Sequence, residues 1–268
     1  MYLKTLEEHI FSTELMAKMA FFYAARWMTR VYAPEKSMGE NLSCHTPLFF
    51  HGLGFTVKEE WSKIELAGKL LEDAAKFADS TPDEFENIMW QNNKAAITAR
   101  AAELYPRSRG MGTPPGWNCG SLKYDPPNAE NPRRVSFHIY NTVSPHSFFR
   151  HPDYLILCFL LLMKEAELRY GADTLFCSSW LNDHPRWLEF FPGEWQENLS
   201  PRDPDRLTGM TVGDWGSIYD ARGCMNEKHL TMVRESGRLP YSPRKSFCSF
   251  QAMRRHLAQL NKKMDIYE

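Results

Sequence analysis

Residues 133–182 read RRVSFHIYNTVSPHSFFRHPDYLILCFLLLMKEAELRYGADTLFCSSWLN. Val135, Phe137 and Ile139 alternate with Ser136, His138 and Tyr140, the two-residue period of a strand with two unlike faces. Residues 135–141 are therefore predicted to be extended. A polar loop follows. Residues 153–170 are apolar enough for a buried helix, and Gly171 supplies its stop. Residues 174–179, TLFCSS, read as a second strand. A strand, a helix of this length and another strand predict a right-handed crossover that leaves the two strands parallel.

Toward the N-terminus the chain is helical. Residues 12–32 carry apolar side chains near helical spacing, with Ser12 or Thr13 as cap and Pro34 beyond the end. So wide an apolar surface must be buried or covered by a partner chain, which admits a homodimer through this helix. Residues 35–55 look irregular. Helices are predicted over 56–78, capped by Thr56 with Glu59, and over 82–104. The second has Thr81 as cap, Pro82 at the first helical position and Glu84 closing a capping box. The stretch 106–132 is dense in Gly, Pro and Asn and predicts a loop with a short strand at 121–124.

Toward the C-terminus, residues 184–199 suggest short helical pieces broken at Pro192-Gly193. Residues 209–219 suggest a strand, and 226–236 a helix stopped by Gly237. Residues 239–247, with Pro240 and Pro243, suit a sheet edge, and a last helix over 249–262 is capped by Ser249. The expected fold is α+β: a helical part, 1–110, packed on a mixed sheet, 111–268, with partly parallel strands, the two forming one compact unit.

Composition bounds the function. The net charge is -1, so no basic field recruits nucleic acid or an anionic membrane. The start, MYLKTLEEHIF, lacks signal-peptide order, and the longest apolar run, 154–163, is too short for a membrane span. Six cysteines without a C-x-x-C pair suit reduced thiols in a cytoplasmic setting. Cys248, just before a helix, could be activated by the helix N-terminus; a buried inert thiol is the simpler reading. Cys44, His45 and His51 share one loop and His146 and His151 another, but neither spacing is that of a metal motif, so no metal is expected. G-x-x-x-x-G-K-[ST], G-x-G-x-x-G and G-x-S-x-G are all absent, so no nucleotide cofactor and no hydrolase elbow are expected.

Open α/β sheets bind ligands at the carboxyl ends of their strands. Two polar groups are predicted there. The first is His138, Asn141 and Ser147; the second is Ser178, Ser179, Trp180, Asn182 and Asp183. His138 could move a proton, while Asn141 and Asn182 orient a carbonyl. A backbone-bonded histidine and an Asx-turn asparagine before Pro185 explain the same residues without function. Trp215, flanked by Gly213 and Gly216, could wall a pocket with Tyr219, and structural glycines at a sheet bend explain the same pattern. Arg234 could bind a carboxylate or simply be solvated.

The order of elements over 121–249 resembles acetyltransferases of the general-control type, in which a strand, a pyrophosphate loop, a helix and a further strand follow one another. Their loop carries a glycine-rich Q/R-x-x-G-x-G/A run, whereas NTVSPHSFFRHPDY here has no glycine. The resemblance implies an acyltransferase with an atypical coenzyme loop. The first expectation is a cofactor-independent lyase, isomerase or cyclase acting on a small organic metabolite. A non-catalytic binding or assembly protein is the third.

Overall fold

The structure, a computed structural model, describes residues 4–108, 116–203, 205 and 207–264. In chain order the helices and strands are α1 (Leu6–Tyr23), α2 (Met38–Cys44), α3 (Glu65–Lys76), α4 (Pro82–Ser108), β1 (Leu122–Asp125), β2 (Arg134–Ile139), α5 (Pro152–Tyr170), β3 (Thr174–Ser179), α6 (Pro185–Leu188), α7 (Gly193–Glu197), α8 (Val212–Trp215), α9 (Glu227–Ser236), β4 (Arg244–Ser249) and α10 (Phe250–Met264). They divide into two units. One is helical and takes in Leu3–Arg109 with Asp203–Pro240; the other is mixed and takes in Gly110–Arg202 with Tyr241–Glu268. The fold is α+β, with a four-stranded mixed sheet that contains one parallel pair.

In the helical unit, α1 begins six residues before the predicted start. Thr5 Oγ1 accepts from Glu8 N at 3.1 Å and Glu8 Oε2 accepts from Thr5 N at 2.9 Å, a reciprocal capping box. Ser12 and Thr13, the predicted caps, lie buried inside the helix. Ser12 Oγ accepts instead from Met225 N. Past Tyr23 the helix widens to π geometry over Ala24–Tyr32, and Thr29 Oγ1 donates to Ala24 O within it.

Two more expectations are corrected in this unit. The irregular stretch contains α2, capped by Ser37. The helix predicted from Thr56 starts only at Glu65, after a 3-10 segment, Lys58–Lys63. Buried Trp61 holds that segment tight by donating its indole N–H to Phe55 O. Helix α4 keeps its predicted start, with the Thr81–Glu84 box formed.

The core of this unit is rich in aromatic rings: Phe21, Phe49, Phe55, Phe85 and Trp61 are buried together. Each contributes roughly 2–3 kcal/mol by leaving water. The strand predicted over 209–219 is absent. The segment coils into α8 and a 3-10 turn, Gly216–Ile218, because Trp215 buries itself and donates its indole N–H to Gly209 O at 2.8 Å.

In the mixed unit the sheet order is β1-β2-β3-β4. β1 pairs antiparallel with β2, β2 parallel with β3, and β3 antiparallel with the edge strand β4. Helix α5 is the crossover, and Gly171 ends it at φ 63. Val135, Phe137, Leu175, Cys177 and Cys248 point into a core shared with Leu155, Phe159 and Leu162 of α5 and Met253 and Leu257 of α10. The alternate residues Ser136, His138, Phe176, Ser178, Lys245 and Phe247 make a half-buried to exposed face. Residues 109–115 of the glycine–proline loop lie outside the described residues.

Candidate functional site

The parallel pair opens toward its carboxyl ends. β2 and β3 pair only over Arg134–Ser136 and Thr174–Phe176. Beyond that each strand stays with its outer neighbour: β2 pairs with β1 as far as Ile139, and β3 with β4 as far as Ser179. The chain leaves β2 into loop 140–151 and leaves β3 into a 3-10 turn, Trp180–Asp183. These two segments border the opening, where an open sheet of this kind offers a ligand its place.

The β2 side rests on a chain of hydroxyls. Ser121 Oγ and Thr142 Oγ1 are 2.7 Å apart, and Thr142 Oγ1 and Tyr154 OH are also 2.7 Å apart. Ser121 N donates to Cys158 Sγ at 3.4 Å. Gly120 makes this approach feasible. At φ +64 it adopts the left-handed conformation, and a Cβ there would sit 2.6 Å from Cys158 Sγ and 2.7 Å from Tyr154 OH. Asn141 Nδ2 donates to His146 O at 2.9 Å and closes the loop that contains the cis Ser144–Pro145 peptide. Ser147 Oγ accepts from Phe149 N and caps the short turn Phe148–Arg150.

The β3 side is organised by two consecutive polar residues. Asn182 is fully buried. Its amide donates to Cys177 O at 3.0 Å and Arg244 O at 2.9 Å, and its Oδ1 accepts from Trp187 Nε1 at 3.1 Å. Asp183 accepts from Ser242 N at 2.9 Å and pairs with Arg202 at 2.9 Å and Arg244 at 3.6 Å. It thereby fixes the segment that carries Tyr241.

Between these anchors stands an aromatic group centred on His184. Its ring stacks on Phe149 at 4.9 Å and 17°, and lies 4.8 Å from Tyr241. Tyr241 in turn stacks on Trp180 at 5.9 Å. Arg186 lies 5.5 Å over Phe149 and donates to Phe149 O. His184 Nδ1 is buried and has no hydrogen-bond partner among the described residues. Burial, and secondarily the Arg186 charge, lower its pKa and favour the uncharged ring. His184, Tyr241 and Phe149 were not singled out from the sequence. A histidine before a proline carries no signal of the stack it will join.

The residues predicted for a site are distributed as follows. His138 lies on the exposed face of β2, with Nε2 2.5 Å from Asp125 Oδ2 of β1. Asn141 and Ser147 belong to the loop at the opening, and Trp180 and Asn182 to the turn across it. Asn182 has its amide committed to the protein's own groups, so its role there is to position Trp187 and β4. Trp215, Tyr219 and Arg234 belong to the helical unit. Trp215 packs edge-on against Tyr23 at 4.9 Å, and Tyr219 lies 4.0 Å from Met16 Sδ. Arg234 pairs with Glu86 at 2.5 Å and Asp83 at 2.9 Å, with its guanidinium 3.7 Å over Phe22. All three are tied into that unit's packing.

Cys248, just before α10, is fully buried, and burial pushes its pKa up, against activation by the helix N-terminus. Among the described residues no group of three or more His, Cys, Asp and Glu side chains could hold a metal ion. None of the described helices is long and apolar enough to cross a membrane. Comparisons with protein-family models, curated proteins and solved structures return no match.

Proposed function

We propose that the protein is an enzyme that acts on a small organic metabolite by acid–base chemistry, as a lyase, isomerase or cyclase, at the opening between β2 and β3. The observation that carries the reading is His184: an imidazole whose Nδ1 has no hydrogen-bond partner among the described residues, set at the end of the turn that follows the parallel strand β3. In this reading His184 takes a proton from the substrate, while Trp180, Tyr241 and Phe149 supply the apolar wall that a small-molecule site needs. His138, oriented by Asp125, is the second acid–base group.

A diphosphate-bearing cofactor is poorly served by the residues present. α5 starts with Pro152, which has no N–H, and has Asp153 in its first turn. Cofactor-independent chemistry accords with that. Cys44, Cys119, Cys158, Cys177, Cys224 and Cys248 are all free thiols, which accords with a cytoplasmic setting.

The test starts with a metabolite library screened by ligand-observed NMR, followed by turnover of each hit. With a substrate in hand, His184→Gln is expected to lower turnover at least a hundredfold and His138→Ala by less. Full activity of His184→Gln would remove its role.

A second reading, an acyltransferase, draws on the strand, loop, helix and parallel strand that open at the same place. Calorimetric titration with acetyl-coenzyme A separates the two. Saturable binding favours the acyltransferase, and no binding at millimolar ligand counts against it.

A further inference from the structure

Over residues 154–163 helix α5 is apolar on every side, although only one side faces the core. Its inner face, with Leu155, Phe159 and Leu162, is fully buried. Its outer face leaves Leu157 63%, Leu160 38%, Leu161 40% and Leu168 72% exposed. A helix apolar all round is one that is covered all round. Two charged residues bracket the first three of these leucines, Asp153 in the first turn and Lys164 in the fourth, and both are exposed. Neither makes an ion pair among the described residues. At about 100° per residue, Asp153, Leu157, Leu160, Leu161, Lys164 and Leu168 fall in one stripe about 100° wide.

Along the axis the stripe reads acid, leucines, base, and this order is its own complement when reversed. Asp153 and Lys164 are about 16 Å apart at 1.5 Å per residue. If a second α5 runs antiparallel across a two-fold axis near residues 158 and 159, each Asp153 comes level with a Lys164 of the other copy. Leu157 then faces Leu160 of that copy, Leu161 lies beside the axis, and Leu168 lies at the rim. A two-fold contact of one patch with itself satisfies both the charges and the leucines without any other partner.

We infer that the outer face of α5 is the contact surface of a homodimer, its two copies antiparallel, with Asp153 of one copy paired with Lys164 of the other. The helix given a dimer role from sequence alone, 12–32, is α1 with its π extension, and Met16, Met19, Phe21 and Tyr23 there are already buried within the chain.

Sedimentation velocity across a wide concentration range tests this on the full chain. The wild type is expected to sediment as a dimer and Leu157→Glu as a monomer. Lys164→Asp places two carboxylates opposite one another at both ends and is expected to weaken association about tenfold or more. The double reversal Asp153→Lys with Lys164→Asp is expected to restore it. All the substituted positions are exposed, and circular dichroism verifies that each variant is folded. A wild type that is monomeric throughout, or a dimer that ignores Leu157→Glu, overturns the interface. A dimer broken by Leu157→Glu but indifferent to Lys164→Asp overturns the antiparallel pairing.

Discussion

Trp187 donates its indole N–H to Asn182 Oδ1 at 3.1 Å, and the same asparagine amide bonds Cys177 O of β3 and Arg244 O of β4. One fully buried side chain therefore joins a strand, its edge partner and the buried indole of Trp187. Asn182→Ala leaves the buried indole donor of Trp187 without its acceptor and removes the bonds to the carbonyls of Cys177 and Arg244. A destabilisation of about 2–4 kcal/mol is expected, read as a lower urea midpoint at an unchanged slope. Asn182→Asp replaces the double donor with a carboxylate facing two carbonyls and is expected to cost at least as much. A loss below about 1 kcal/mol for Asn182→Ala would mean that the triangle is not a keystone of the sheet.

How much of this was legible follows from which signals are local. The crossover of β2, α5 and β3 was readable because a period of two, a long apolar helix and Gly171 each act within a few residues. The capping box of α1 was also present, as Thr5 and Glu8, but it lies upstream of the apolar spacing from which the helix was read. Residues 209–219 suggest a strand because nothing local shows that the Trp215 indole will close on Gly209 O. Asn141 follows β2 by two residues and Asn182 follows β3 by three, yet the commitment of Asn182 depends on Arg244, sixty-two positions away. The stack of His184 with Phe149 and Tyr241 is long-range in the same way, and no spacing rule reaches it.

Gly120 is the point on which the hydroxyl chain turns. Its positive φ strains any L side chain, and a methyl group would stand 2.6 Å from Cys158 Sγ and 2.7 Å from Tyr154 OH. Gly120→Ala is expected to destabilise by about 1–3 kcal/mol, measured by denaturant unfolding. Gly171→Ala makes a control. It shares the left-handed backbone but has nothing within 4 Å of a Cβ, so it is expected to cost about 1 kcal/mol, the backbone part alone.

The thiols divide sharply by environment. Cys44 is half-buried, and the other five are buried. Burial raises the pKa of Cys119 to about 11 and pushes that of Cys177 up as well. A water-soluble disulfide reagent at neutral pH is expected to label Cys44 in the folded protein, and the remaining five only after denaturation. Rapid native labelling of Cys248 would restore the helix-activated thiol that its burial argues against.

His51 makes the stability of the helical unit depend on pH. Its Nε2 accepts the backbone N–H of Val212 at 3.1 Å, which only the neutral ring can do. Burial lowers its pKa to about 4. A group with its folded pKa depressed below 6.5 contributes fully above that value, and the contribution is lost as pH falls toward 4. The loss over this window is expected to reach about 3 kcal/mol at most. His45 adds in the same direction. Its pKa is lowered by burial and by Lys36, while its Nδ1 is bonded to Thr208 O at 2.7 Å and its Nε2 lies 3.1 Å from Lys36 Nζ. Both histidines hold the segment 208–212 onto α2 and the turn after it. Carboxylates also titrate near the lower limit, so the comparison is with His51→Gln, whose amide oxygen can accept the same N–H without titrating. Thermal melts at pH 7 and pH 4.5 are expected to show a smaller drop for the variant than for the wild type. Equal drops would mean that His51 is not the group being protonated.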